Sequence, residues 1–201
     1  TFGSFIGFAG VFPKLIKDYF PAFSSIGVGT VALSLAFLGP LVGSLARPYG
    51  GRMADRLGGA RMTVTAFAAM AVITLTMVWS LPLGNFWLFL VLFLALFTAS
   101  GFGNGATYRM IPVIFALHSR AALSGASRVD TQRLASAALG LISAIGAYGG
   151  FVIPQVLNAS STASGSYTPA FYGFVGAYLV MLAVCWACYL RPATRHGKGH
   201  V

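Results

Sequence analysis

Long apolar runs, each ended by glycine, proline or a cluster of basic residues, set the pattern of this sequence. They fall at about 1–17, 26–48, 61–81, 85–117, 134–157 and 168–190, and a helix crosses a bilayer with about 20 such residues. The pattern predicts an all-α membrane protein: a six-helix bundle over 1–190 followed by a basic tail at 191–201. The fourth run is longer than a bilayer requires, so its helix is expected to tilt or to extend past the membrane surface. The first run opens as TFGSFIGFAGVF, without a basic leader or a small-residue cleavage site. It reads as a helix already under way rather than a signal peptide, and the N-terminus is expected to be a cut inside a larger protein.

Composition agrees with the pattern. Of 201 residues, 57% are hydrophobic and 8% charged, where a soluble domain is roughly a quarter charged. The net charge of +10 raises the question of nucleic acid, but its distribution answers it. Arg52, Arg56 and Arg61 follow the second run, Arg120, Arg128 and Arg133 follow the fourth, and Arg191, Arg195 and Lys198 lie in the tail. These alternate connections share one side, and the other side has only Lys14 and Lys17. The positive-inside rule makes the first side and the C-terminus cytoplasmic, in a multi-pass inner-membrane protein with no nucleic-acid partner. Cys185 and Cys188 form a C-x-x-C inside the apolar run AYLVMLAVCWACYL, with no further cysteine and no nearby histidine. They read as small hydrophobes rather than as a redox or zinc motif. The spans offer no carboxylate pair, metal-ligand cluster or nucleophile with a base, so neither an enzyme nor a cofactor is expected.

The candidate chemistry lies in two arginines inside predicted spans. Arg47 stands in FLGPLVGSLARPYGGR and Arg109 in GFGNGATYRMIPVIF. Arginine cannot shed its proton and costs at least a few kcal/mol at mid-membrane, so it faces a protein interior or a wet cavity, or snorkels to the surface. Both readings stand for each residue on position alone. A planar guanidinium facing a cavity suits an anion, since it binds a carboxylate, nitrate or phosphate oxygen pair through two parallel hydrogen bonds. The small residues Ala99, Ser100, Gly101, Gly103, Gly105, Ala106 and Thr107 around Asn104 suggest close helix packing. So do ALGLISAIGAYGGF, where Gly140 pairs with Ala144 and Ser143 with Ala147, and the G-x-x-x-G of Gly146 and Gly150. Packing does not account for Asn104, Arg109 or Ser143, whose polar groups need partners in hydrocarbon. The glycines are not a nucleotide loop, because no strand precedes them and no phosphate-binding lysine follows. The acids are Asp18, Asp55 and Asp130, all in or beside connections, and His118, His196 and His200 are at span ends or outside. No carboxylate within the spans can relay protons; if transport is proton-coupled, the titrating group is elsewhere or is the substrate.

The stretch ARPYGGRMADRLGGAR (46–61) resembles the G-x-x-x-D-R-x-G-x-R loop that the major facilitator superfamily places between its second and third helices and again between its eighth and ninth. With TFGSFIGF, GFGNGATYRMIPVIF and ALGLISAIGAYGGFVIP (138–154), essentially the whole chain resembles the C-terminal half, helices seven to twelve, of a nitrate/nitrite porter. The resemblance implies that the anion is bound between two halves by one arginine from each, with Arg47 as the one in this chain. It implies that Phe2 is the aromatic that sandwiches the planar anion, and that Tyr108 is an aromatic near the substrate. Gly140 and Ser143 match small and hydroxylic positions of the nitrate signature. Asn104 joins this candidate set, and Arg109 is either a second anion contact or a subfamily marker. Asp55, Arg56 and Arg61 would latch one conformation at the cytoplasmic mouth, or simply form an orienting basic loop. The implied activity is secondary active transport of nitrate or nitrite by alternating access, through exchange or proton-coupled uptake; an anion channel, or a transporter of another small anion, is the alternative. The partner six-helix half, with its own arginine, and the tyrosine expected just before TFGSF are absent from these residues.

Overall fold

The computed structural model describes residues 1–24, 26–28, 31–33, 35–121 and 128–190. The predicted tail, with Arg191, Arg195 and Lys198, lies outside them, and Arg120 and Arg128 are described in backbone only. The described helices are α1 Phe2–Tyr19, α2 Leu38–Leu57, α3 Gly59–Ser80, α4 Phe86–Ala121, α5 Arg128–Ala147, α6 Gly149–Ser164 and α7 Thr168–Cys185. Among the described residues four helical stretches are long and apolar enough to span a membrane: Gly59–Leu83, Phe86–Ala116, Gln132–Ser164 and Thr168–Leu190. Helices α1 and α2 carry more charge, with Lys14, Lys17 and Asp18 on one and Arg47, Arg52, Asp55 and Arg56 on the other. The chain is a multi-pass membrane protein, and its described residues are helical but for one short ribbon and brief connections.

That ribbon corrects the expected helix over 26–48. Residues Ile26–Val28 (β1) and Val31–Leu33 (β2) pair antiparallel, Ile26 opposite Leu33, and a short 3-10 turn at Leu35–Phe37 leads into α2. Ile26, Val28 and Val31 are β-branched and Gly27 is a poor helix former, so apolarity there does not carry helical preference. At its other end α2 runs past the expected stop at 48, through Arg52 and Asp55, to Leu57. The connection to α3 is Gly58 alone, at φ 92°, a conformation open to glycine at little cost. The fifth expected span, 134–157, lies across α5 and α6, which break at Tyr148. There the Tyr148 N–H donates back only three residues, to the Ile145 carbonyl at 3.2 Å. The glycine pair Gly149–Gly150 and Pro154, which lacks an N–H, weaken the helix at this place.

Two kinds of packing hold the bundle. Phenylalanines at helical spacing, Phe5, Phe8 and Phe12 on α1 and Phe89, Phe93 and Phe97 on α4, interlock in the core. Phe12 and Phe93 stack at 4.1 Å between centroids, while Phe8–Phe93 and Phe5–Phe97 meet edge to face at 5.7 and 5.6 Å. Such pairs contribute about 0.5–1.5 kcal/mol each beyond burial, which matters where lipid supplies little hydrophobic drive between helices. Glycines make the second kind. Helices α2 and α4 approach so closely that a Cβ on Gly101 would strike the Gly43 carbonyl oxygen, and one on Gly105 the Arg47 carbonyl oxygen. Gly43 meets the Phe97 carbonyl oxygen in the same way, at 2.8 Å. Helix α1 lies on α5 and α6 through Gly3 and Gly7, with Gly146, Gly149 and Gly150 opposite.

Gly105→Ala should therefore force α2 and α4 apart and cost about 1–3 kcal/mol, read as a lower melting temperature of the purified protein in detergent. Gly140→Ala is the matched control, because a Cβ there meets nothing within 4 Å, and its melting temperature should hold or rise slightly, since alanine favours a helix over glycine.

Candidate functional site

Arg47 sits midway along α2, with its backbone held against Gly105 and its side chain directed to α1. The guanidinium carbon lies 4.2 Å from the centre of the Phe5 ring and 5.7 Å from that of Phe2. Its Nε is buried and has no hydrogen-bond partner. The described carboxylates are committed elsewhere: Asp55 pairs with Arg109 and Asp18 accepts from Tyr167, while the Asp130 side chain is outside the described residues. A guanidinium stacked on rings spends its faces on the aromatic contact and keeps its N–H groups, which lie in its plane, for an acceptor. Arg47 is thus a half-buried cation whose donors point to no protein anion among the described residues.

A second line of contacts starts from Phe2. Its ring meets Tyr108 edge to face, 6.1 Å between centroids. The Tyr108 hydroxyl lies 2.6 Å from Ser143 Oγ, and Ser143 Oγ donates to the Leu139 carbonyl at 2.7 Å. Since the serine proton is used on Leu139, Tyr108 is the donor to Ser143, and the pair ties α4 to α5. Gly140, one turn before Ser143, faces open space. Asn104 precedes Tyr108 by one turn on the same face of α4. It is 3% exposed and its Oδ1 has no partner. A further turn back, Ser100 donates to the Thr1 carbonyl at 2.8 Å. Ser100, Asn104 and Tyr108 form a polar stripe on α4 beside the start of α1, and an unpaired buried amide oxygen within it costs about 1–3 kcal/mol until a donor reaches it.

Arg109 belongs elsewhere. Its neighbour Tyr108 turns to Phe2, but one residue rotates a helix by about 100°, and Arg109 Nε donates to Asp55 Oδ1 at 2.7 Å. The two side chains are 62% and 47% exposed. They border a cleft of about 220 Å³ with Arg56, Arg61, Met110 and Val113. The structure thus brings the predicted loop residues Asp55, Arg56 and Arg61 together and adds Arg109 to them, apart from the cluster around Arg47. The contact that sequence reasoning missed is Phe5, whose ring is nearer to Arg47 than that of Phe2; its signal was the spacing of three from Phe2, which places both on one face of α1.

No protein-family model matches the chain. It is 40% identical over 200 residues to the nitrate/nitrite transporter NarU of Escherichia coli (strain K12), covering 95% of this chain and 42% of that protein. The NarU of Salmonella typhimurium is 41% identical over 200 residues, with the same coverage. A probable nitrate/nitrite antiporter of Thermus thermophilus is 36% identical over 194 residues, covering 95% of this chain and 40% of that protein. The chain spans less than half the length of these curated relatives.

The Tyr108–Ser143 bond should appear in a double-mutant cycle of Tyr108→Phe and Ser143→Ala. The expected coupling is about 0.6 kcal/mol, typical of hydrogen bonds between membrane helices, measured by reversible unfolding in mixed micelles; additive effects would show that the bond contributes nothing.

Proposed function

We propose that this chain, which is 36–41% identical to nitrate/nitrite transporters over 95% of its length, is one six-helix half of a secondary transporter of the major facilitator superfamily and binds nitrate or nitrite at Arg47. The observation that carries the reading is the Arg47 guanidinium resting on Phe5 and Phe2 with a buried, unpartnered Nε and no counter-ion among the described residues. A planar oxyanion accepts two parallel bonds from that edge, and the rings of Phe2 and Tyr108 supply flat walls against it. Asn104 adds an amide one turn away, and Gly140 keeps the approach beside Ser143 open. A second half with its own arginine completes the site and supplies the surface against which this one rocks. Charge balance requires a counter-anion moving outward or protons moving inward with the substrate. The arginine-rich connections support a cytoplasmic Asp55 end and C-terminus in this reading.

The Asp55–Arg109 pair is the latch in this reading. An exposed ion pair is worth about 0.2–1 kcal/mol, too little to hold the fold and enough to bias two conformations by up to about fivefold. It is a contact that can be made and broken once per cycle.

In the full-length protein reconstituted in liposomes, Arg47→Lys keeps the charge and loses the fork, so nitrite uptake should fall more than about tenfold, a loss of over about 1.4 kcal/mol; unchanged uptake removes Arg47 from the site. External nitrate should accelerate efflux of labelled nitrite, whereas flux that never saturates identifies a channel instead. For the latch, Asp55→Asn should raise the reactivity of single cysteines introduced at the Asp55 end. The reversed pair Asp55→Arg with Arg109→Asp should restore protection, and a failure to restore it assigns Asp55 another role.

A further inference from the structure

At the end of the bundle away from Asp55, α1 and α6 separate. Up to Gly7 they touch through glycines, but a Cβ on Gly10 meets nothing within 4 Å. Pro13 in α1 and Pro154 in α6 each interrupt the helical hydrogen bonds near this point. The gap is a cavity of about 280 Å³ whose polar walls are Lys14, Gln155, Asn158 and Tyr167. Lys14 Nζ reaches Asn158 Oδ1 at 3.4 Å and stands 5.9 Å from the centre of the Tyr167 ring. The carboxylate one turn further along α1, Asp18, is taken: it accepts from the Tyr167 hydroxyl at 2.5 Å, which also fixes that ring as a wall. Lys14 makes no ion pair among the described residues. An ammonium has three donors, and one long bond to an amide leaves the others for the cavity. Cations are also disfavoured at this end by the same rule that orients the chain, so a lysine here, without a carboxylate partner and bordering a cavity, calls for a use.

We propose that Lys14, Asn158 and Gln155 form a second, outer binding site for a small oxyanion of the nitrate and nitrite class, where the ion is captured before it reaches Arg47. Twelve residues of helix separate Lys14 from Phe2, about 18 Å along the axis, so one anion at each place is electrostatically tolerable in salt. The ammonium supplies charge, and the amide N–H groups of Asn158 and Gln155 supply directed donors. Because Asn158 gives its oxygen to Lys14, its nitrogen is the end left for an anion. The identity of the ligand rests on reading the chain as an anion transporter; the site itself does not depend on Arg47.

The test is made on the full-length protein, with external and internal half-saturation for nitrite measured separately in liposomes of phosphatidylcholine. Lys14→Gln and Asn158→Ala should each raise the external value about three- to fivefold and leave the internal value unchanged. Lys17→Gln, which removes the same charge one turn away without touching the cavity, should change neither. Equal effects of the two lysine variants would mean a diffuse surface field and overturn the site, as would no effect of Lys14→Gln. An effect that appears only when phosphatidylglycerol is added would assign the cavity to a lipid headgroup and overturn the small-anion reading. Nitrite titration calorimetry on Arg47→Ala keeps the two proposals apart: a weak site should remain and disappear on adding Lys14→Gln, and the loss of all binding with Arg47→Ala alone would overturn the outer site.

Discussion

Everything at the centre of this molecule depends on how closely α2 approaches α4. Gly43 and Gly50 on one helix and Gly101 and Gly105 on the other leave carbonyl oxygens where side chains would otherwise stand. With the Arg47 backbone held against Gly105, the arginine has one direction open to it, toward α1, and there it meets Phe5 and Phe2. The same approach fixes the rotation of α4. Asn104 and Tyr108 then fall on the side of α1 and α5, and Arg109 on the side of the α2 C-terminus. Two adjacent residues serve two separate clusters because a helix turns about 100° between them.

Charge is distributed with similar economy. The described residues contain a single ion pair, and it is exposed. Inside the bundle the polar groups are answered mostly by hydroxyls and backbone: Thr63 donates to Gly59, Thr107 to Gly103, Ser100 to Thr1 and Tyr108 to Ser143. Against that background four buried side-chain atoms among the described residues are unanswered, the hydroxyls of Tyr19 and Thr74, the Nε of Arg47 and the Oδ1 of Asn104, and the last two belong to the candidate site. One is a donor and the other an acceptor, both within the glycine-lined contact of α2, α4 and α1. A membrane interior tolerates such groups where function needs them.

Much of the fold was legible because lipid demands long apolar helices, and the runs that start near 61, 85 and 168 begin close to where α3, α4 and α7 do. Apolarity is silent on the choice between helix and strand, so Ile26–Leu33 was misread, and it is silent on polar helix, so the stretch from Arg52 to Leu57 was expected as a loop. At the candidate site, Arg47 stands out in the sequence as a charge out of place in hydrocarbon and Phe2 only through family resemblance; what the structure adds is that the two lie side by side. The partner of Arg109 was not legible, since nothing in the spacing of Asp55 and Arg109, 54 residues apart, says that the end of α2 lies beside this stretch of α4. Phe5 was hidden among the core phenylalanines: a ring under a cation and a ring in the core look the same in a sequence.

The two packing styles also divide the bundle by friction. The rings of α1 and α4 are meshed like teeth, Phe12 flat on Phe93 with Phe8 and Phe97 wedged around them, and moving one helix past the other means unseating every tooth together. The seam of α1 with α5 and α6 is flatter, backbone on backbone at Gly3, Gly146 and Gly149, with single aliphatic side chains, Ile153 over Gly7 and Ile6 over Gly150, crossing it. Strain imposed on this bundle will therefore be released first as a slip of α6 along α1, and the wall that carries Phe2 will travel with α4 as one piece.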